Sequence, residues 1–165
     1  LQPQAPECST CPFRSRCVAF QRKLVGRLPV KDKKATLKKR YLHYVVLEYR
    51  GCIAIRQRKD KDIWQGLFEF PLIETAAPLD HTGLIQRARA LKWMPAGSRV
   101  ESSSIVSLEQ KLSHQHLCLT FTRVRLKRKP PALADLKWLR TAAFGQLAFP
   151  RAIRSYLSRM GPDTV

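Results

Sequence analysis

Apolar and polar positions change rhythm several times along this chain, and each change marks an element. From Tyr41 the stretch "YLHYVVLEYR-G-CIAIRQR" carries two apolar, β-branched-rich runs separated by Arg50-Gly51, which predicts two strands joined by a tight turn. "DIWQGLFEFPL" follows as a Trp-bearing turn leading into a short strand that ends at Pro71. In "DHTGLIQRARAL" the period lengthens. Leu84, Ala88 and Leu91 fall on one helical face, Gln86, Arg87 and Arg89 turn away, and Asp80 or Thr82 is placed to cap the helix. "SSSIVSLE" and "HLCLTFTRVRLK" read as two further strands joined across "QKLSHQ", and "LKWLR" as a short one. Near the carboxyl end Pro150 suits a first helical position. Phe149, Ile153, Tyr156, Leu157 and Met160 then form an apolar stripe, opposite a solvated face of Arg151, Arg154 and Arg159.

Strands interleaved with two helices predict an α+β body with a mixed sheet and helices packed on it, over about residues 41–165. The segment before it has no such rhythm. Residues 1–20 hold Pro3, Pro6 and Pro12 and three cysteines, an irregular loop, and residues 21–40 are basic and poor in apolar residues, as a linker is. No internal repeat is visible. The chain has 165 residues and is 44% hydrophobic, enough for one domain with a modest core and an appendage. A first residue of Leu rather than Met suggests a piece of something longer. No apolar run approaches the roughly 20 residues that cross a bilayer, and no charged-then-apolar leader is visible, so a soluble, intracellular protein is expected.

Charge narrows the partner. Thirty-one Lys and Arg against twelve Asp and Glu give +19, and such a field draws in polyanions. Nucleic acid is the favoured partner and an acidic membrane surface the lesser one.

Five cysteines divide into two kinds. Cys52 and Cys118 lie in apolar stretches, where a free thiol behaves as a small hydrophobe. Cys8, Cys11 and Cys17 stand at C-x2-C-x5-C, a spacing that returns three thiolates to one point and suits either zinc or an iron–sulfur cluster. Spacing alone does not choose between them.

"ECSTCP" with the following Cys17 resembles the end of the iron–sulfur loop in the endonuclease III and MutY class of DNA glycosylases, whose pattern is C-x6-C-x2-C-x5-C. Aligned on Cys8, Cys11 and Cys17, that pattern puts its first ligand at position 1, where this chain has Leu1. "WQGLFEFPL" resembles a W-x-G-L-W-E-F-P stretch of MutY carboxyl-terminal domains and of the related Nudix hydrolases. "LSHQHL" is similar to the Phe-Ser-His loop of MutY, and "LAFPRAIRSYL" to that family's closing helix. The order of the pieces matches throughout.

The resemblance implies a Nudix-like domain over residues 41–165 that recognises 8-oxoguanine opposite adenine in duplex DNA. Adenine excision would belong to a separate helical domain, so these 165 residues would bind without cutting. It implies a 4Fe–4S cluster in the parent glycosylase, with Cys8, Cys11 and Cys17 as three ligands and an incomplete set here. A monomer is expected, cytoplasmic and nucleoid-associated in a bacterium, nuclear or mitochondrial in a eukaryote. By the same resemblance Leu112, Ser113 and His114 form the lesion-reading loop, Leu112 standing where the family commonly has Phe. The chemistry suits the role. Guanine offers an acceptor at N7, whereas oxidation at C8 makes N7 an N–H donor, and a serine hydroxyl can accept from it. In "TRVRLK", Arg123, Arg125 and Lys127 alternate onto one strand face and are expected at DNA phosphates.

A Nudix hydrolase is the alternative, and a general basic nucleic-acid-binding module a second. The hydrolases hold Mg²⁺ on a helix carrying R-E-x-x-E-E. Here Asp80 is the sole acid between Glu74 and Glu101, and the matching helix carries Arg87 and Arg89. The hydrolase reading fails on ligands.

Overall fold

The computed structural model describes residues 6–28, 30, 37–100, 105–134 and 136–160. Position 1, part of the basic connector, and residues 102–104 of the "SSSIVSLE" stretch lie outside them. The chain divides into two units, Leu1–Thr36 and Leu37–Val165.

In the first unit a single 3-10 turn, Arg14–Arg16, runs into a one-turn helix α1, Val18–Gln21. Cys8, Cys11 and Cys17 are free thiols, each partly exposed. The Arg14 N–H donates to the Cys11 carbonyl at 3.0 Å, folding the chain back between the second and third cysteine.

The second unit is built on a mixed sheet. Its strands are β1 Lys38–Tyr49, β2 Cys52–Gln57, β3 Phe68–Glu69, β4 Leu72–Thr75, β5 Arg99–Val100, β6 Val106–Lys111, β7 Gln115–Arg125 and β8 Lys137–Arg140. β1 is the spine: it pairs in parallel with β7 from Lys38↔Gln115 to Glu48↔Arg125, and antiparallel with β2 and β4 on its other edge. The β1–β2 turn falls at Arg50-Gly51 as the pattern predicts, with φ of 48° and 73° at the two residues. Two left-handed residues give the backbone twist that a two-residue hairpin needs.

Leu42 to Leu47 of β1 are all buried. A run buried without alternation means that the sheet is covered on both faces. On one face, Leu42, Tyr44, Val46, Phe70, Leu117, Leu119 and Phe121 pack under helix α3, Arg151–Arg159. The Phe121 ring stacks on Tyr156 at 4.2 Å between centroids and lies 5.2 Å from Tyr44. On the other face, Val45, Leu47, Ala54, Val124 and Leu126 pack against Leu84, Ile85 and Ala88 of α2, His81–Ala90. The expected α+β architecture, a mixed sheet flanked by helices, is what the chain forms.

Details differ from the pattern. Leu91 caps α2 and is exposed, while Ile85 takes the buried place expected of it. The helix ends at Ala90 and Lys92 turns left-handed, so Leu91 leaves the apolar face. Pro150 is the residue before α3 rather than its first. β6 runs on through Gln110 and Lys111, which shortens the connection to β7 to Leu112–His114.

Asp80 is the cap of α2, its Oδ1 accepting from the Gly83 N–H at 3.0 Å. Asp80→Ala is expected to cost about 1 kcal/mol, read as a lowered urea midpoint with an unchanged slope.

Candidate nucleic-acid interface

The β6–β7 hairpin ends in a short turn whose tip is Ser113-His114. The Leu112 N–H donates to the Gln115 carbonyl at 2.8 Å and closes the turn, while the Lys38 N–H donates to the His114 carbonyl at 3.2 Å and ties it to the start of β1. Ser113 and His114 are exposed; Leu112 is half-buried and packs against the apolar cluster under α3. Leu112 therefore anchors the turn from below, and the hydroxyl and the imidazole face outward.

A side-chain relay holds the base of this turn. Arg40 Nη1 donates to Gln115 Oε1 at 3.0 Å, and the same guanidinium donates to Asp62 at 2.6 and 2.9 Å and to Glu74 at 2.6 and 2.8 Å. Glu74 first, then Asp62, raise the Arg40 pKa. Chiefly through its hydrogen bond to Arg40, Asp62 is held down to about 2. Arg40 stays charged, and Gln115 is held beside the turn by a group that does not titrate.

Three lysines stand at the base of the turn. Lys38 and Lys39 stand in register with Gln115 and His116, Lys111 pairs with His116 across the hairpin, and all three lysines are exposed. Sequence reasoning placed Lys38 and Lys39 at the end of a linker and overlooked Lys111. The available signal was the basic pair directly ahead of the first alternating strand, but its nearness to the turn depends on a parallel pairing across about 75 residues.

The second basic group divides. Arg125 and Lys127 are exposed, but Arg123 is buried, 6% exposed. Its Nε donates to Glu48 Oε2 at 2.8 Å, and a second guanidinium nitrogen lies 2.6 Å from the same oxygen. The expectation that Arg123 meets DNA phosphates is corrected accordingly: Glu48, on the neighbouring strand, takes its charge inside the protein.

Helix α2 carries no carboxylate in His81–Ala90, and Asp80, just before it, is spent on the cap. Nothing on this helix can hold a hard cation against a pyrophosphate.

Comparison with known proteins places this arrangement. The NUDIX domain family profile matches residues 43–159, which is most of the chain. The chain belongs to the NUDIX domain family. An adenine DNA glycosylase of Buchnera aphidicola from Schizaphis graminum is 33% identical over 73 residues, covering 44% of this chain and 21% of that protein. A second, from the Baizongia pistaciae symbiont, is 27% identical over 112 residues, covering 66% of this chain and 29% of that protein. The chain thus spans under a third of the length of these relatives. Among solved structures, the C-terminal domain of mouse MUTYH, in complex with human PCNA, superposes with a TM-score of 0.56 at 22% identity, over 73% of this chain and 86% of that one. MutT of Staphylococcus aureus, a Nudix hydrolase, gives 0.57 at 17% identity, over 76% and 97%. The structures share the Nudix fold. The sequence relatives make this Nudix chain similar to part of the adenine DNA glycosylases, and the carboxyl-terminal domain of mouse MUTYH shares its fold.

Proposed function

We propose that this Nudix domain is the damage-reading part of an adenine DNA glycosylase, with Ser113 contacting the N7–H of 8-oxoguanine opposite adenine. The observation that carries the reading is the turn itself: an exposed hydroxyl on a hairpin tip pinned by main-chain bonds, with three exposed lysines at its base, on a Nudix body whose α2 lacks metal-holding acids. His114 stands beside Ser113 for a phosphate or base-edge contact, and Arg125 and Lys127 supply backbone contacts away from the tip. Adenine excision is the work of a separate catalytic domain, so this chain binds duplex and does not cleave it.

Cys8, Cys11 and Cys17 offer three thiolates of the four that a 4Fe–4S cluster uses. Position 1, where the family pattern has its first ligand, is Leu and offers no ligand. These residues do not complete the group, and no step of lesion reading is routed through it.

Fluorescence anisotropy with three duplexes tests the reading: 8-oxoguanine:A, G:A and undamaged G:C. Tighter binding of the first is expected. Equal affinity for all three would make the chain a general basic binder, and Mg²⁺-dependent hydrolysis of 8-oxo-dGTP would make it a hydrolase. Replacing Lys38, Lys39 and Lys111 together by Ala is expected to weaken all three duplexes alike. The slope of log K against log salt should fall by roughly 2–3, one counterion or slightly less per lost phosphate contact.

A further inference from the structure

We propose that Glu109, His116 and Cys118 form a three-ligand site for a zinc-class divalent ion, clasping the two strands of the β6–β7 hairpin behind the Ser113 turn. The antiparallel register sets Glu109 directly opposite Cys118, and His116, two residues earlier on β7, shares that face. A carboxylate oxygen, an imidazole nitrogen and the thiol sulfur all lie within 4.8 Å of one another, with His116 Nε2 3.1 Å from Glu109 Oε2. Bonds of about 2.0–2.3 Å to a tetrahedral zinc separate its ligands by about 3.3–3.7 Å. Closing the triad takes a small movement, and the 66%-exposed Glu109 side chain is free to make it.

The His116–Glu109 contact alone is an ordinary surface pair. The third donor makes it a site. Cys118 belongs to neither apolar cluster of the domain; its half-buried thiol sits on the polar end of the sheet face instead of serving as core filler. A thiolate beside an imidazole and one carboxylate selects zinc-class ions over Mg²⁺ or Ca²⁺, which take oxygen ligands. Three protein ligands leave a fourth position for water. As the metal–sulfur bond forms, the Cys118 proton passes to solvent. Two cations share the face and oppose the ion: Lys111, opposite His116 across the hairpin, and Lys39, in register with His116 on β1 and exposed, which brings a positive charge toward Glu109 and Cys118. Their long, solvated stems let them swing away.

The test uses the full chain with Cys8, Cys11 and Cys17 changed to Ser, which removes the other thiolate cluster, titrated with Co²⁺ and then Zn²⁺. One equivalent of Co²⁺ is expected to give a thiolate-to-cobalt absorption band that Zn²⁺ displaces. Cys118→Ser should abolish the band. Glu109→Gln and His116→Ala, both at positions with solvent access, should raise the apparent Kd at least about tenfold, and Lys39→Gln should lower it. No band in the triple-Ser chain, a band surviving Cys118→Ser, or a Kd untouched by both Glu109→Gln and His116→Ala would overturn the assignment. The metal readout is independent of DNA binding, so its failure leaves the lesion reading standing.

Discussion

Glu69→Ala is expected to destabilise the Nudix domain by about 3–5 kcal/mol, the cost of leaving a buried charge without its partner. Glu69 is wholly buried, and Arg58, 6% exposed, donates to its Oε2 at 2.5 Å. Arg56 Nε donates to the other oxygen at 3.0 Å, and the Tyr44 hydroxyl reaches Oε2 at 3.4 Å. Burial, and then the nearby Glu69 carboxylate, push the Tyr44 pKa upward, so the phenol remains a donor. Removing the carboxylate leaves the Arg58 guanidinium with Asp62, at 3.2 Å, as its remaining ion-pair partner. Glu69→Gln keeps the shape and an acceptor and is expected to cost less. Arg56→Ala, whose side chain is 43% exposed, should cost under about 1 kcal/mol. Urea unfolding of the three variants checks the order. Equal midpoints for Glu69→Ala and Arg56→Ala would show that burial of the carboxylate is not what sets the cost.

Ser113→Ala is expected to erase most of the preference for 8-oxoguanine:A over G:A while leaving G:C affinity unchanged. A well-placed polar contact to a base edge discriminates by about 1–3 kcal/mol, roughly 5- to 150-fold in affinity. The sign follows from the base: the lesion presents N–H at N7 where guanine presents a lone pair. Under the proposed contact the substitution removes the hydroxyl that would accept from N7–H, whereas contacts from Lys38, Lys39 and Lys111 to phosphates would persist. Because Ser113 is exposed and its turn is held by main-chain bonds, folding should change by less than about 0.5 kcal/mol. Ser113→Thr retains the hydroxyl and should keep part of the preference.

What the sequence discloses about this domain follows the range of the forces involved. The β1–β2 hairpin was legible because alternation and Arg50-Gly51 are local, and so was α3, whose stripe of Ile153, Tyr156 and Leu157 repeats at helical spacing. The cap at Asp80 was legible for the same reason. Burial of Arg123 was not, since its partner Glu48 lies 75 residues away and meets it only through the parallel β1–β7 pairing. The Arg40 relay from Asp62 and Glu74 to Gln115 was hidden likewise, because three distant segments of the chain converge on one guanidinium. Strand β5, two residues long, is too short for any period to show. The loop residues were found through a resemblance to a family motif. What periodicity could not tell was which of them point outward, and the structure gives Ser113 and His114 that place and Leu112 the anchoring one.

The measurement that bears most directly on the proposed role of the Ser113 turn is the amide spectrum of the isotope-labelled chain titrated with matched duplexes containing 8-oxoguanine:A or G:A. The Ser113 and His114 amides are expected to shift strongly with the damaged duplex and little with the undamaged one, while those of Lys38, Lys39 and Lys111 shift with both. Ser113 and His114 amides that respond identically to the two duplexes, or to neither, would contradict it.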